Sequence, residues 1–563
     1  MSGFTETTYN NLITQQSETQ QRLFAEYTGN GQDFDIVIVG SGIGGGILAD
    51  DIADNSNRLR ILVIEAGSYL FPTHVYNVSR FPNASVASKY GVQNFTQTGD
   101  DNTQYYIGEQ PQLNLGGRSI FWSGLIPSVQ PWELQFFPPN VRSRLSADLK
   151  EAQNKLNVSV TMGNTAQNIV KALQQSPLAE HFDIRETPRA LHQPYLTPSG
   201  APAKEFFLEP TGVFNTAELL INQIGLKPQD PNAANQNRLQ LLLNHYVESV
   251  EKRGDGRCTL QVKDIIGKRI RQFTARAVVL AAGSLESPKI IRRSPVFNSL
   301  SQAIKDIVGQ GLTDHPTTNW IQGNVTHIGN TEIPRNGHAK IVFYSRGLRE
   351  AGPGSPIRYP FNIEMNVNHE YWHLRENDPT SPEVSVGIKE SVVEIKFSFG
   401  NLLDDENTLN LSSGTTYVPQ IQFKNLKWMD DLSQNRFRNL AGWRKTNPEI
   451  FAVLNDLVYK IFSQFRKDGA PASPVGYLGQ DGRGFGYGTV HHSVGTLRMP
   501  ATNRLDSGDF SAPSVVDEDL MVRGHPGLYV CDMSVLPYSS SANPVLSLAA
   551  LTLQLSRHLR NTL

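Results

Sequence analysis

With 563 residues, 39% of them hydrophobic and 18% charged, the chain has the make-up of an ordinary globular protein and length for two to four domains at roughly 150 residues each. A formal net charge of −2 provides no basic field for nucleic acid or an anionic membrane surface. Two cysteines, Cys258 and Cys531, exclude a disulfide framework and a four-cysteine metal site, and no run of about 18 apolar residues marks a membrane span.

Residues 1–34 are polar and rich in Gln, Thr and Asn, with no basic stretch leading into an apolar one, so no secretory leader is read there and a cytoplasmic location is expected. Asn-x-Ser/Thr triplets at Asn77, Asn83, Asn94, Asn157, Asn324 and Asn410 carry weight only in a secreted chain.

The first ordered unit runs from Asp35-Ile36-Val37-Ile38-Val39 through Gly40-Ser41-Gly42-Ile43-Gly44-Gly45-Gly46 and an apolar helix to Ile61-Leu62-Val63-Ile64-Glu65. It reads as strand, glycine turn, helix and second strand ending in an acid. Gly40 permits the turn off the strand, Gly42 lets the backbone approach a pyrophosphate, and Gly45 lets the helix pack close to the sheet. The helix amino end then offers unpaired N–H groups and a positive dipole to the pyrophosphate. Glu65, 20 residues after Gly45, is placed to accept from a ribose diol. The fingerprint by itself serves NAD and FAD alike.

An irregular stretch from Ser68 to Glu109 follows, long enough to form a lid or an interface. In Leu115-Gly116-Gly117-Arg118-Ser119-Ile120-Phe121-Trp122, glycine N–H groups and a cation suit a diphosphate or the polar edge of a flavin, and a plain turn before a strand fits as well. Helical spacing is read over 133–156 and 206–224, and strands over 239–247, 258–262 and 275–283. The last ends like the first, an apolar run into small residues and glycine, so the nucleotide-binding unit resumes there. From about 325 to 482, alternating segments such as Ala339–Tyr344, Pro360–Val367 and Glu390–Phe397 predict an antiparallel sheet with one face buried.

Near the carboxyl end stand His491-His492-Ser493-Val494-Gly495-Thr496 and Ser541-Ala542-Asn543-Pro544-Val545, the latter opening an apolar helix. Asn543 and Pro544 read as N-cap and first helical residue, although a cap with no other role satisfies the same residues. If 491 and 492 lie on a strand, the two histidines face opposite ways. No ligand cluster has metal spacing, so no metal site is expected.

Taken in order, the fingerprint with Glu65, the Gly116-Gly117 block, Gly309-Gln310-Gly311-Leu312-Thr313-Asp314-His315-Pro316 and the tail from His492 resemble the glucose–methanol–choline (GMC) oxidoreductases. The resemblance implies an α/β, Rossmann-like FAD-binding domain from residues 35–155, 235–324 and 483–563, beside a mainly antiparallel α+β substrate-binding domain from 156–234 and 325–482. It implies FAD held at Gly40, Ser41, Gly42, Gly45, Glu65, Gly116, Gly117, Ser119, Trp122, Val247, Ala282, Asp314, Asp532, Met533, Asn543, Pro544 and Val545. His492, in the family's H-x-x-G-T pattern, becomes the catalytic base and Asn543 its partner, orienting the alcohol while hydride passes from carbon to flavin N5.

The Gly-Gly-x-Ser-x-x-Trp form is most like the pyranose oxidase and sugar-oxidising branch, where a histidine before the tryptophan can be tethered to the flavin. Phe121 stands at that position and has no nucleophilic nitrogen, so FAD is expected without a covalent link. The expected function is oxidation of an alcohol, with a sugar or glycoside hydroxyl among the candidates and oxygen or another acceptor reoxidising the flavin. A non-redox lyase of the hydroxynitrile type and a flavin-dependent fatty-acid decarboxylase are the alternatives, the latter needing a long apolar channel. Oligomeric state is not legible.

Overall fold

The computed structural model describes residues 33–69, 111–159, 163–191, 212–226 and 239–315, most of 321–475, and 491–563 apart from 503–507, with a few short stretches between. The segment before Asp33 and nearly all of the Ser68–Glu109 excursion lie outside the described residues.

The first layer is a parallel sheet. Continuous apolar strands, which suit a sheet covered on both faces, form β1 (Asp33–Val39), β2 (Ile61–Ile64), β4 (Leu239–Leu242), β7 (Arg269–Leu280) and β12 (Leu528–Val530), in the order β4-β2-β1-β7-β12. Between them in the chain lie α1 (Ile43–Asn55), α2 (Pro139–Lys155), α3 (Asn164–Gln174), β3 (Phe182–Glu186), α4 (Thr216–Ile221), β5 (His245–Lys252) and β6 (Cys258–Asp264). The register pairs Val39 with both Ile64 and Leu280, and Leu280 with Val530, so four strands end at one level. The amino half of β7 extends the same seven-stranded sheet by pairing antiparallel with β6, which pairs in turn with β5.

Two glycines allow α1 to sit directly on the sheet. Gly40 has φ +103°, and a Cβ there would stand 2.5 Å from the carbonyl oxygen of Ala281. A Cβ on Gly45 would stand 2.0 Å from the carbonyl oxygen of Gly40. Helices α1 and α2 flank the carboxyl-terminal helix α7 (Val545–Thr562), whose face from Val545 to Leu559 is buried.

The second layer is a five-stranded sheet of β8 (Ile321–Val325), β9 (Ala339–Ser345), β10 (Phe361–Val367), β11 (Ser391–Phe399) and β3, ordered β8-β11-β10-β9-β3 and antiparallel throughout. Phe361, Ile363, Met365 and Val367 alternate into a core shared with α3 and with α6 (Pro448–Phe462). The other face was expected at solvent. It is buried too: Asn362, Glu364 and Asn366 are at most 8% exposed, because this polar face lies over the nucleotide-binding layer.

Local chemistry explains the remaining differences from expectation. The strand read over 239–247 breaks at Asn244, which has φ +58°. The helix read from 133 begins as an α-helix at Pro139, where a proline without an N–H occupies the first turn. Of the helix read over 206–224, the described part starts at Thr216, capped by Asn215 Oδ1 accepting from the Glu218 N–H at 3.0 Å. Residues 213–221 pack in the core of the parallel sheet, although the reading had placed 156–234 with the substrate-binding layer.

Gly45→Ala is expected to lower unfolding stability by about 3 kcal/mol, since no neighbour can yield to the added methyl. Gly254→Ala, with nothing within 4 Å of its Cβ, serves as control, and denaturant midpoints of the two variants measure the difference.

Candidate active site

The level carboxyl ends of β1, β2, β7 and β12 open onto one cavity, as the crevice rule for open α/β sheets requires. Its wall is formed by Gly40–Gly44, Glu65, Gly117–Ser119, Tyr246–Val247, Ala282–Glu286 and Asp532–Met533, joined by His491 and Ser493 from the tail. Two helix amino ends meet there, α1 at Ile43 and α5 (Gly283–Arg293) at Gly283. Both helix dipoles favour an anion at this point, and at α5 the Asp532 carboxylate takes the Gly283 N–H.

Two buried carboxylates brace the cavity. Glu65 Oε2 accepts from the Ser41 N–H at 3.0 Å and the Ser41 hydroxyl at 2.6 Å, while Oε1 accepts from the Gly67 N–H at 2.9 Å. Asp532 Oδ2 accepts from the Gly283 N–H at 2.9 Å and the Ser287 hydroxyl at 2.5 Å, tying β12 to the start of α5. Burial pushes both carboxyl pKa values up, opposed by these hydrogen bonds.

Of the residues expected at the cofactor, Gly40, Ser41, Gly42, Glu65, Gly117, Ser119, Val247, Ala282, Asp532 and Met533 line this cavity. The others stand behind or beside it. Gly45 is the packing contact of α1, the Gly116 N–H donates to Ser41 Oγ at 3.0 Å, and Trp122 Nε1 donates to the Phe214 carbonyl at 2.7 Å. Asp314 Oδ1 accepts from the His315 N–H at 2.7 Å, away from the lining. Asn543, Pro544 and Val545 are also outside it, although Leu548, one turn on, is a wall residue.

The tail is positioned by pairing. Thr313 and Val494 exchange both backbone hydrogen bonds, at 3.1 and 2.8 Å, and the Ser284 hydroxyl donates to the Ser493 carbonyl at 2.6 Å. Stepping two residues each way along an antiparallel pair brings His315 opposite His492. Their ring nitrogens, His492 Nδ1 and His315 Nε2, are 2.7 Å apart. His491 and His492 lie on irregular chain, not on the strand considered for them, and His491 has φ +61°. That left-handed turn sends His491 to the cavity wall and His492 to His315.

Burial holds both facing imidazoles neutral. His315 is pushed down to about 4, and His492 is well below its ordinary value, through burial first and then the neighbouring ionisable groups His315, Lys396, His491 and Arg118. Donor atoms of Asp314, His315 and His492 lie within 4.8 Å of one another. Two nitrogens sharing a tetrahedral ion at about 2.1 Å would stand about 3.4 Å apart; the 2.7 Å contact is a hydrogen bond.

Asn543 does not cap α7. Pro544 takes the N-cap position, and Asn543 Nδ2 donates to the Leu125 carbonyl at 3.1 Å. The turn before it is held by Glu133, whose Oε1 accepts from the Ser541 N–H at 2.8 Å. The polar face of the antiparallel sheet closes the other side: Ser398 Oγ is 3.4 Å from His315 Nδ1, and Lys396 pairs with Glu364 at 2.5 Å. Burial raises Glu364, but the Lys396 ammonium brings it below its ordinary value.

The cavity fits a flavin dinucleotide on two observations. A Cβ on Gly42 would meet nothing within 4 Å, so the backbone there is bare toward the cavity. The Ser493 hydroxyl is buried in the wall with no partner among the described residues.

Comparison with known proteins agrees. Two GMC oxidoreductase family models match, one at residues 231–317 and one at 477–552. Pyranose dehydrogenase of Agaricus campestris is 22% identical, with 90% of each chain covered. Among solved structures, pyridoxine 4-oxidase from Mesorbium loti superposes with a TM-score of 0.57 at 14% identity, covering 94% of this chain and 100% of that one. Formate oxidase of Aspergillus oryzae RIB40, from a structure concerned with FAD modification, gives 0.58 at 15% identity, with 95% and 99% covered. No helix among the described residues is long and apolar enough to cross a membrane. Fold and site define a flavin-dependent oxidoreductase. In the two matched segments the chain is similar to the GMC oxidoreductases, and the matches support an FAD-dependent oxidoreductase acting on CH–OH groups.

Gly42→Val is expected to abolish FAD binding while leaving the apoprotein's thermal midpoint within about 2 °C, because the added atoms enter only the dinucleotide space. Flavin absorbance per chain and calorimetry of the apoprotein check the two halves.

Proposed function

We propose that the enzyme oxidises a hydroxyl of a small polar, polyhydroxylated substrate, a sugar or glycoside being the best fit, with His492 as base and Asn543 orienting the hydroxyl. The observation that carries this reading is the placement of His492, between two residues of the cofactor cavity wall, His491 and Ser493, with its Nδ1 held by His315. FAD, when bound, supplies the two-electron acceptor.

The chain's own residues supply placement and proton transfer. His492 takes the hydroxyl proton on the ring nitrogen turned away from His315, and general-base help of this kind is worth roughly 10²–10⁴-fold. Asn543 spends one N–H on the Leu125 carbonyl, which fixes its amide plane. Its second N–H has no acceptor among the described residues and serves the substrate oxygen.

A polar substrate is supported by the sheet face above the histidine pair. Lys340, Asn362, Glu364, Asn366, Lys396 and Ser398 present buried donors and acceptors there, and Asn362 Nδ2 has no partner among the described residues. Lys340, donating to Asn366 Oδ1 at 2.8 Å, is pushed down to about 7 by burial and by Arg189. A long apolar channel for a fatty acid does not suit such a lining. The sugar-oxidising relative from Agaricus campestris points the same way. FAD is held without a covalent link, since Phe121 at the tethering position packs on the core of the parallel sheet.

Anaerobic addition of sugars and glycosides is expected to bleach the flavin band near about 450 nm. A flavin that stays oxidised with every alcohol tried would favour a lyase. His492→Ala should slow this bleaching at least about hundredfold with FAD still bound. Because a lowered pKa keeps the imidazole neutral as pH falls, the acid limb of kcat/KM is expected below about 6.5, the ordinary histidine value; a limb at or above it would contradict the neutral buried base. Acid precipitation should leave the yellow colour in the supernatant, whereas colour in the pellet would mean a covalent flavin.

A further inference from the structure

His315 has no role in the reading above, yet it is fully buried and is the side chain that His492 touches through a ring nitrogen. Its own Nδ1 faces the Ser540 carbonyl at 3.2 Å. A carbonyl oxygen can only accept, so Nδ1 of His315 carries the hydrogen. The ring is neutral, which leaves Nε2 as a bare lone pair. The group 2.7 Å from that lone pair must donate, so His492 carries its hydrogen on Nδ1 and its lone pair on Nε2. One carbonyl thus dictates the protonation pattern of two rings.

We infer that His315 is a positioning residue for the oxidation, fixing the tautomer and ring plane of His492 so that Nε2 is the nitrogen that accepts the substrate proton. This rests on His492 being the base. In the opposite tautomer Nε2 would present an N–H to the substrate hydroxyl and could accept nothing. When the proton arrives, the substrate O–H bond breaks, the Nε2–H bond forms, and His492 becomes a cation. Its Nδ1–H then makes a charge-assisted hydrogen bond to the His315 lone pair, stronger than the neutral one.

The surroundings keep His315 in this role. Glu364 and Lys396 act on it from the antiparallel sheet with opposite sign, and Arg118, His491 and Lys396 act on His492. Ser398 Oγ, 3.4 Å from His315 Nδ1, stands on the same side as the Ser540 carbonyl and reinforces the ring's orientation. The 64° angle between the rings, with centroids 4.7 Å apart, points the edge of one imidazole at the other.

The test uses the full-length FAD-bound enzyme and two variants. His315→Leu removes the acceptor at similar volume, and His315→Gln restores one, its amide oxygen standing in for Nε2. At saturating alcohol the rate of flavin reduction should fall about hundredfold in the leucine variant and within about tenfold in the glutamine variant, with KM and flavin content within about threefold of wild type. Adding His315→Leu to His492→Ala should cost nothing further. Full rate in the leucine variant, equal losses in both variants, or multiplying losses in the double variant would each overturn the inference.

Ring-¹⁵N spectra of the oxidised enzyme, with His492 signals assigned by their loss in His492→Ala, give a readout independent of turnover. They should show a protonated Nδ1 and bare Nε2 in wild type and a mixture in His315→Leu; a protonated Nε2 in wild type would overturn the inference whatever the kinetics. Loss in His492→Ala with none in His315→Leu refutes this inference and leaves the base assignment standing. Full rate in His492→Ala refutes the base assignment itself and the kinetic role of His315 with it.

Discussion

The architecture depends on the register of β7. Its carboxyl half lies parallel between β1 and β12, and its amino half is the first strand of the antiparallel β7-β6-β5 extension. Because pairing aligns Val39, Ile64, Leu280 and Val530, the residues that follow each strand arrive at one edge. Gly40, Glu65, Ala281 and Asp532 are brought together by backbone hydrogen bonding before any side chain contributes. A one-residue slip of any strand would misplace its terminal residue and repack both of its buried faces.

Charge burial is the second constraint. The cavity wall holds Glu65 and Asp532, and the site's roof holds Glu364, Lys340 and Lys396, all at most 8% exposed. Groups of this kind are stable only with partners, and each has them: Ser41 and Gly67 for Glu65, Gly283, Ser287 and Ser534 for Asp532, Lys396 for Glu364, Asn366 for Lys340. Leaving any one of these charges alone would cost several kcal/mol, so the polar layer between the two sheets is specified as tightly as an apolar core.

The βαβ unit was legible because each local signal agreed: apolar period, glycine spacing and terminal acid. The parallel sheet, the antiparallel sheet and the cavity-lining Gly40, Gly42 and Glu65 followed from such signals, whereas Val247, Ala282, Asp532 and Met533 were implied only by the family resemblance. What the chain hides is long-range pairing. Asp314 was read at the cofactor while its neighbour His315 went unassigned, because only the Thr313–Val494 bridge shows that His315 meets His492. Asn543 looked like a cap because Asn-Pro before a helix satisfies local rules, but a carbonyl 418 positions earlier in the chain, that of Leu125, claims its amide. Tyr246 and Glu286, also in the wall and joined at 3.0 Å, come from a strand and a helix whose sequences carry no nucleotide motif.

His491 has a left-handed backbone that costs a non-glycine residue roughly 1–2 kcal/mol, and it is followed at once by the proposed base. The turn at His491 directs its own side chain to the cavity wall and that of His492 to His315. A single residue step of chain therefore joins the wall of the dinucleotide cavity to the proposed base.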